Sequence, residues 1–350
     1  MFAIDFTKSN EWTGKESFQG KNLHYLFPNP NQLNPYEQAI TIIGETLSAF
    51  DDDGLIPAYG FGCNRSRGDS VFSFNPRDTP CHGFQEVLSR YRQLVPITPL
   101  AGPTSFGPLI RHACNIVKAS CGQYHILLIV ADGQVTHPTD LPKDELSEQE
   151  KDTISAIVDA CQLPLSIVMV GVGDGPWDVM EEFDDRIPER TWDNFQFVPF
   201  NTTLAKAQRS VPMGASPAQV KAQMEATFAL HVLMEIPEQY REVGVRGLMS
   251  KTAANRAQVQ GINVLDPAVP QNVSPQSTTT STVTTAPVAS VPNNNNSSST
   301  TTFSNLCSIC DDRLPNVAFD CGHCFCKQCA DQMSNCPLCR KKVERRTNLF

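Results

Sequence analysis

The tightest constraint on this chain lies at its C-terminal end. Eight side chains of metal-ligand type recur there in the spacing C-x2-C-x10-C-x-H-x2-C-x2-C-x6-C-x2-C. They are Cys307, Cys310, Cys321, His323, Cys326, Cys329, Cys336 and Cys339. Thiolate and imidazole are the ligands Zn²⁺ prefers, and a C-x2-C turn presents two sulfurs to one tetrahedral ion. Eight ligands fill two four-coordinate shells, so two structural Zn²⁺ ions are expected. Spacing alone does not say which pairs share an ion. A segment of about forty residues buries too little apolar surface to fold unaided. Zinc contributes on the order of 10–16 kcal/mol per structural site at neutral pH, so metal binding and folding are inseparable. With every ligand position taken, neither ion keeps a place for an activated water, which argues against a zinc hydrolase.

The rest of the chain is read against that fixed end. Its 350 residues leave room for about two domains and a connector. A net charge of -9 argues against a nucleic-acid partner, which selects for a basic footprint. The run Arg340, Lys341, Lys342, Arg345, Arg346 is too short to reverse this and reads as a solvated tail. No apolar run reaches the ~18 residues of a membrane span. The start Met1-Phe2-Ala3-Ile4-Asp5 shows no signal peptide, and Phe2 stands where N-myristoylation needs glycine. No intrinsic membrane anchor is expected. Of thirteen cysteines, Cys63, Cys81, Cys114, Cys121, Cys161 and Cys324 fall outside the ligand pattern and lack disulfide-framework spacing. A reducing compartment, cytoplasm or nucleus, is expected.

Residues 1–245 read as one α/β domain, with strand-length apolar runs alternating with amphipathic stretches. Strands are expected at Phe2–Phe6, Leu55–Phe61, Val71–Phe74, Tyr124–Ala131, Pro164–Val172 and Phe195–Phe200. Helices are expected near 35–50, 83–94, 106–119, 147–162, 177–185 and 216–235. The run from Ile126 to Ala131 has no polar alternation, as a central strand buried on both faces requires. The stretch 246–302 reads as a linker: from Pro267 to Cys310 it carries no charged residue, and Pro, Ser, Thr and Asn dominate. Such composition cannot offset chain entropy, so 264–302 is expected to be a disordered tether. The zinc segment occupies 303–345, and 346–350 is a C-terminal tail.

The first strand ends in Asp5-Phe6-Thr7-Lys8-Ser9, a D-x-T-x-S pattern. Functional groups in open α/β sheets gather at the carboxyl ends of strands. One carboxylate with alternating hydroxyls suits a hard octahedral cation, Mg²⁺ or a similar divalent ion. Taken alone, an Asp-Ser/Thr cluster at a strand end is more often a turn or a cap. Gly102-Pro103-Thr104-Ser105 before a helix, and Asp132-Gly133 after the central strand, strengthen the metal reading.

Together these stretches resemble the metal-ion-dependent adhesion site of von Willebrand factor A domains. Ile4–Asn10, Asn34–Ile40, Gly102–Phe106 and Gly171–Gly175 are similar to the copine version of that domain. The resemblance implies a doubly wound, mostly parallel sheet, with Asp5, Thr7, Ser9, Thr104 and Asp132 as magnesium ligands and one position open to a partner's carboxylate. Only four residues precede Asp5, so the first strand is expected to be truncated relative to the family.

The zinc segment resembles a C3HC4 RING finger, which implies a cross-brace: Cys307, Cys310, Cys326 and Cys329 on one ion, and Cys321, His323, Cys336 and Cys339 on the other. The two modules in this order resemble the copine-like RING domain ubiquitin ligases of plants. That resemblance implies a RING-type E3 ubiquitin transferase with no covalent ubiquitin-enzyme intermediate. Its partners would be a ubiquitin-conjugating enzyme, ubiquitin and a protein substrate recruited by the A domain. Ile309, Pro337 and Leu338 match the family's apolar surface for the conjugating enzyme, and Arg340 matches its bridge to the donor ubiquitin. The chain end, as in dimeric RING fingers, implies a RING homodimer with Phe350 contacting donor ubiquitin in trans. The alternative is a non-enzymatic, Mg²⁺-dependent interaction scaffold with a structural zinc module. Plant hormone and stress signalling is the setting the resemblance implies.

Overall fold

The computed structural model describes residues 1–48, 51, 53–120, 122–138, 140–142, 145–187, 190–212, 214–251, 264–268, 317–319, 324–336, 341–343 and 345–348. The strands of the N-terminal unit are β1 Phe2–Asp5, β2 Leu55–Ile56, β3 Ala58–Phe61, β4 Val71–Ser73, β5 Cys81–His82, β6 His125–Ala131, β7 Leu165–Gly171, β8 Phe195–Pro199 and β9 Val264–Leu265. Its helices are α1 Pro35–Leu47, α2 Gly83–Leu94, α3 Gly107–Ala119, α4 Glu148–Ala160, α5 Asp178–Arg186, α6 Phe200–Arg209, α7 Pro217–Leu233, α8 Ile236–Val245 and α9 Leu248–Lys251.

Seven strands form one sheet in the order β8-β7-β6-β1-β3-β4-β9. All neighbours are parallel except β3 and β4. The short β1 is central: Phe2, Ala3 and Ile4 pair with Leu128, Ile129 and Val130 on one side and with Ala58, Tyr59 and Gly60 on the other.

The apolar run of β6 needs two covered faces, and it has them. Leu128 and Val130 join a cluster with residues of α1, α2, α6 and α7, while Leu127, Ile129 and Ala131 join one with α3, α4 and α5. Each fully buried aliphatic side chain of these layers contributes about 1.5–3 kcal/mol. The doubly wound α/β architecture follows. Helix α1 starts where its sequence dictates. Asn34 caps it reciprocally with Glu37, and Pro35 fills the first turn, where no N–H partner is required.

Several elements differ from the sequence reading. The run Leu55–Phe61 breaks at Pro57, which lacks the N–H a continuous ladder would use. Its first two residues pair instead with β5. Helix α6 was not expected. Its buried Phe200, Thr203, Leu204 and Ala207 sit at helical spacing, but one member of that stripe, Thr203, is polar and follows polar Asn201 and Thr202, so the apolar pattern does not show. The expected linker contains ordered pieces: α9, and β9, whose Val264 and Leu265 pair with Val71 and Phe72 at the sheet edge. Asp266 then accepts a hydrogen bond from the Arg77 amide at 2.9 Å.

In the C-terminal unit, β10 Val317–Phe319, β11 Cys324–Phe325 and β12 Arg346–Asn348 form an antiparallel sheet ordered β11-β10-β12, beside the one-turn helix α10 Lys327–Ala330. Val317, Phe319, Phe325, Cys326, Ala330 and Cys336 make its core. The expected tail thus begins inside the finger, because 346–348 are a strand. Arg346 is not merely solvated. Its guanidinium donates to the carbonyls of Ala330 (3.1 Å) and Met333, and lies 5.6 Å from the centre of the Phe319 ring.

Candidate metal centre

Strands β1 and β6 are neighbours whose onward connections run to opposite sides of the sheet. The crevice beyond their carboxyl ends is the switch point where α/β folds place ligands. Asp5 ends β1, and Asp132 directly follows β6. After Asp5 the chain turns outward, and Thr7 forms an isolated parallel bridge with Ala101, joined by Lys8 N–H to Ala101 O at 3.1 Å. This draws the 101–106 loop alongside. Thr104 is tied to the loop after Asp132 from both sides: its amide donates to Thr136 Oγ1 at 2.7 Å, and its carbonyl accepts from the Thr136 amide at 3.0 Å. Two glycines allow the approach. A Cβ on Gly62 (φ +76°) would fall 2.2 Å from the Thr7 methyl, and one on Gly173 would fall 1.9 Å from the Asp132 carbonyl oxygen.

All five residues expected as cation ligands therefore meet. Asp5, Thr7, Thr104 and Asp132 are buried and Ser9 is half-buried. Thr7 Oγ1 is the hub, 2.9 Å from Ser9 Oγ, 3.4 Å from Asp132 Oδ1 and 3.4 Å from Thr104 Oγ1. Asp5 Oδ1 accepts the Thr7 amide at 2.7 Å, while its buried Oδ2 has no hydrogen-bond partner. Burial and then the neighbouring Asp132 push the Asp5 carboxyl well above the usual carboxylate range. Burial raises Asp132 too, against hydrogen bonds that favour its charged form.

Two adjacent buried carboxyls resist ionising together: without a cation they share a proton, and a bound positive charge would let both ionise. Octahedral Mg²⁺ at 2.0–2.1 Å has cis ligand oxygens about 3 Å apart, close to the spacings around Thr7. The donor set fits a hard divalent cation. It draws three of its five members from hydroxyls. Among the described residues, no three His, Cys, Asp or Glu side chains are gathered for a metal.

Residues to which the sequence assigned no role complete the centre. Thr13 Oγ1 donates to Asp132 Oδ2 at 2.6 Å. Asn10 Nδ2 donates to the Thr7 carbonyl at 3.1 Å and accepts from Tyr36 Oη at 2.7 Å. His24 contacts the Asp5 carbonyl through Nε2 (2.9 Å) and Tyr91 Oη through Nδ1 (2.8 Å), with its pKa lowered by burial to about 3. The Asp174 carboxylate accepts the amides of Glu16 and Ser17 at 2.8 and 2.9 Å, which holds the 13–20 loop against the 171–175 turn. Asn10, Tyr36 and Asp174 lie in the stretches that carry the resemblance, Thr13 lies four residues beyond Ser9, and His24 has no such signal.

In the finger, three expected zinc ligands are described. Cys326 caps α10, Cys329 follows one turn later, and Cys336 is buried in the same core. A helical turn bearing thiols at i and i+3 beside an apolar core fits a closed thiolate site. Cys307, Cys310, Cys321, His323 and Cys339 lie outside the described residues, as do Ile309, Pro337, Leu338, Arg340 and Phe350. Among the described residues no helix is long and apolar enough to cross a membrane.

Comparison with known proteins covers both units. A family model described as Copine matches residues 22–252, and one described as Zinc finger, C3HC4 type (RING finger), matches 303–346. E3 ubiquitin-protein ligase RGLG1 of Arabidopsis thaliana is 46% identical over 353 residues, spanning 100% of this chain and 68% of that protein. E3 ubiquitin-protein ligase RGLG2 of the same plant is 45% identical over 359 residues, spanning 100% and 74%. Copine family protein 2 of Caenorhabditis elegans is 44% identical over 252 residues, spanning 71% of this chain and 3% of that protein.

Proposed function

The chain belongs to the family of RING-type E3 ubiquitin-protein ligases that carry a copine domain. On that premise we propose that its finger binds a ubiquitin-charged conjugating enzyme while its copine domain recruits the substrate. The observation that carries this is the joint match of both modules, in order, along one chain. The RING family is zinc-binding, and the proposed ligand sets are the two interleaved groups of four given by the resemblance. Closed zinc shells leave the metal a structural part, so the finger acts by holding the thioester-linked ubiquitin for attack by a substrate lysine. The acceleration is orientational. Ile309, Pro337 and Leu338 would seat the conjugating enzyme, and the planar fork of Arg340 would donate to enzyme and ubiquitin together. Phe350 would reach donor ubiquitin across a finger dimer.

In the copine domain, Asp5, Thr7, Ser9, Thr104 and Asp132 would hold a divalent cation. When bound, that ion offers a partner's carboxylate a ligand position. The unpartnered, buried Asp5 Oδ2 supports this reading. Thr13 and Thr7 fix the orientation of Asp132 through its two oxygens.

The test is autoubiquitination by the zinc-loaded chain with activating enzyme, a panel of conjugating enzymes, ubiquitin and ATP. Ladders are expected from the native chain and lost in Ile309→Ala and Arg340→Ala with zinc content unchanged. A folded, zinc-bound protein that forms no ladder with any conjugating enzyme would instead support the scaffold reading.

A further inference from the structure

We propose that His24 is a positioning residue of the metal centre, holding the end of β1 so that the free oxygen of Asp5 faces the cation. The inference rests on the cation reading above. It starts from where the ladder stops. On the β6 side, the pairing of β1 ends at Ile4↔Val130, one residue before Asp5. The Asp5 carbonyl is taken by His24 Nε2 at 2.9 Å. A carbonyl can only accept, so Nε2 carries the proton and Nδ1 is the acceptor. Tyr91 Oη, 2.8 Å away, donates to it, and Tyr91 in turn accepts from Asn34 Nδ2 at 3.2 Å. Each hydrogen bond in this chain dictates the next, and the neutral Nε2–H tautomer of His24 is fixed from the N-cap of α1 and from α2.

The ring is also clamped by its faces. It stacks between Phe6 (centroids 4.8 Å apart, planes at 11°) and Tyr36 (4.3 Å, 5°). Tyr36 reaches on through Asn10 to the Thr7 carbonyl, so the peptide carbonyls of two ligand residues, Asp5 and Thr7, are held from beneath by one stack. Above it, the Thr7 amide occupies Asp5 Oδ1 and leaves Oδ2 free. The direction of that free oxygen is therefore set by the turn that His24 holds. Groups that orient metal ligands in this way typically govern affinity by about 10–100-fold.

The test measures Mn²⁺ binding to the zinc-loaded full chain by electron paramagnetic resonance, with Asp5→Ala as the blank. His24→Phe keeps the ring stack but loses the donor, and is expected to weaken Mn²⁺ affinity by about 10–100-fold. His24→Gln, which restores an N–H toward the carbonyl, should recover part of that loss. Nitrogen-15 spectra should show His24 protonated on Nε2. Unchanged affinity in a folded His24→Phe, or a proton on Nδ1, would overturn the positioning role while leaving the cation site intact. If His24→Phe does not fold, Tyr91→Phe decides the matter: it removes the donor that fixes the tautomer, so weaker binding supports the proposal and native affinity overturns it. A native chain that binds no more Mn²⁺ than Asp5→Ala removes the cation reading and this inference together.

Discussion

Asp5→Asn separates the charge of the centre from its shape. In the cation-free domain Asp5 is held above its ordinary value of 3.8 by burial and by Asp132. A carboxyl with a raised folded pKa keeps a proton that the unfolded chain has already released. Stability therefore falls as pH rises from the ordinary value through the raised one. A bound cation reverses this by favouring the ionised pair. Asparagine still accepts the Thr7 amide at the Oδ1 position but carries no charge against Asp132. The cation-free variant should therefore be more stable than the native domain at neutral pH and lose stability less steeply as pH rises.

The cation should then separate the two proteins. At a hundred times its Kd, it stabilises the native domain by about 2.7 kcal/mol. At roughly 2–4 °C per kcal/mol for a domain of this size, the melting temperature rises by about 5–11 °C. Asp5→Asn should show no such rise. The assay is intrinsic fluorescence on heating, because Trp12, Trp177 and Trp192 all lie in the copine domain. Magnesium-free buffer replaces a chelator, which would also strip the finger. A full Mg²⁺ response in Asp5→Asn, or none in the native protein, would refute the reasoning.

Two further substitutions probe the supports of each unit. Gly173→Ala places a methyl 1.9 Å from the Asp132 carbonyl and should cost about 1–3 kcal/mol of stability, read from the urea midpoint, with a weaker Mg²⁺ response. Arg346→Ala removes the donors to the Ala330 and Met333 carbonyls and the contact with Phe319. It should destabilise the finger by roughly 1–3 kcal/mol and speed zinc release to a colorimetric chelator, while the fluorescence melt of the copine domain stays unchanged.

What could be read from the sequence followed how locally each feature is specified. The zinc pattern is legible because two-sulfur turns demand fixed spacings, and D-x-T-x-S is legible because one strand end carries three candidate ligands within five residues. Thr104 and Asp132 stand out only through the family resemblance, which their loop and strand-end positions support. His24, by contrast, is a lone histidine among Leu23, Tyr25, Leu26 and Phe27, which reads as a residue packed in an apolar stretch. Its role comes from Phe6, Tyr36 and Tyr91, which only the tertiary fold brings around it. Strand β9 left no trace because two residues carry no periodicity, and its pairing is decided by the open edge of β4. Arg346 read as one more tail charge because its acceptors are carbonyls, which a sequence does not display.

The sheet topology bears on how substrate and finger meet. β9 runs parallel to β4, which is antiparallel to β3, so Asp266 emerges where the parallel strands begin, as its bond to Arg77 after β4 requires. The metal centre lies where those strands end. A partner held at the proposed cation site would thus lie on the opposite side of the domain from Asp266. A domain of this size has a radius of gyration of about 18 Å, and the path around it is roughly 70 Å. Forty residues, 267–306, lie in the sequence between Asp266 and the first cysteine of the zinc pattern. About forty residues extend at most roughly 130–145 Å, enough to cover that path with slack. Deleting 271–295 leaves a reach of roughly 50 Å, too short. Discharge of ubiquitin to free lysine should then persist at the native rate, while modification of a protein captured at the metal centre falls at least tenfold. Equal modification of the captured protein by the shortened chain would mean that substrate is not presented from the metal face.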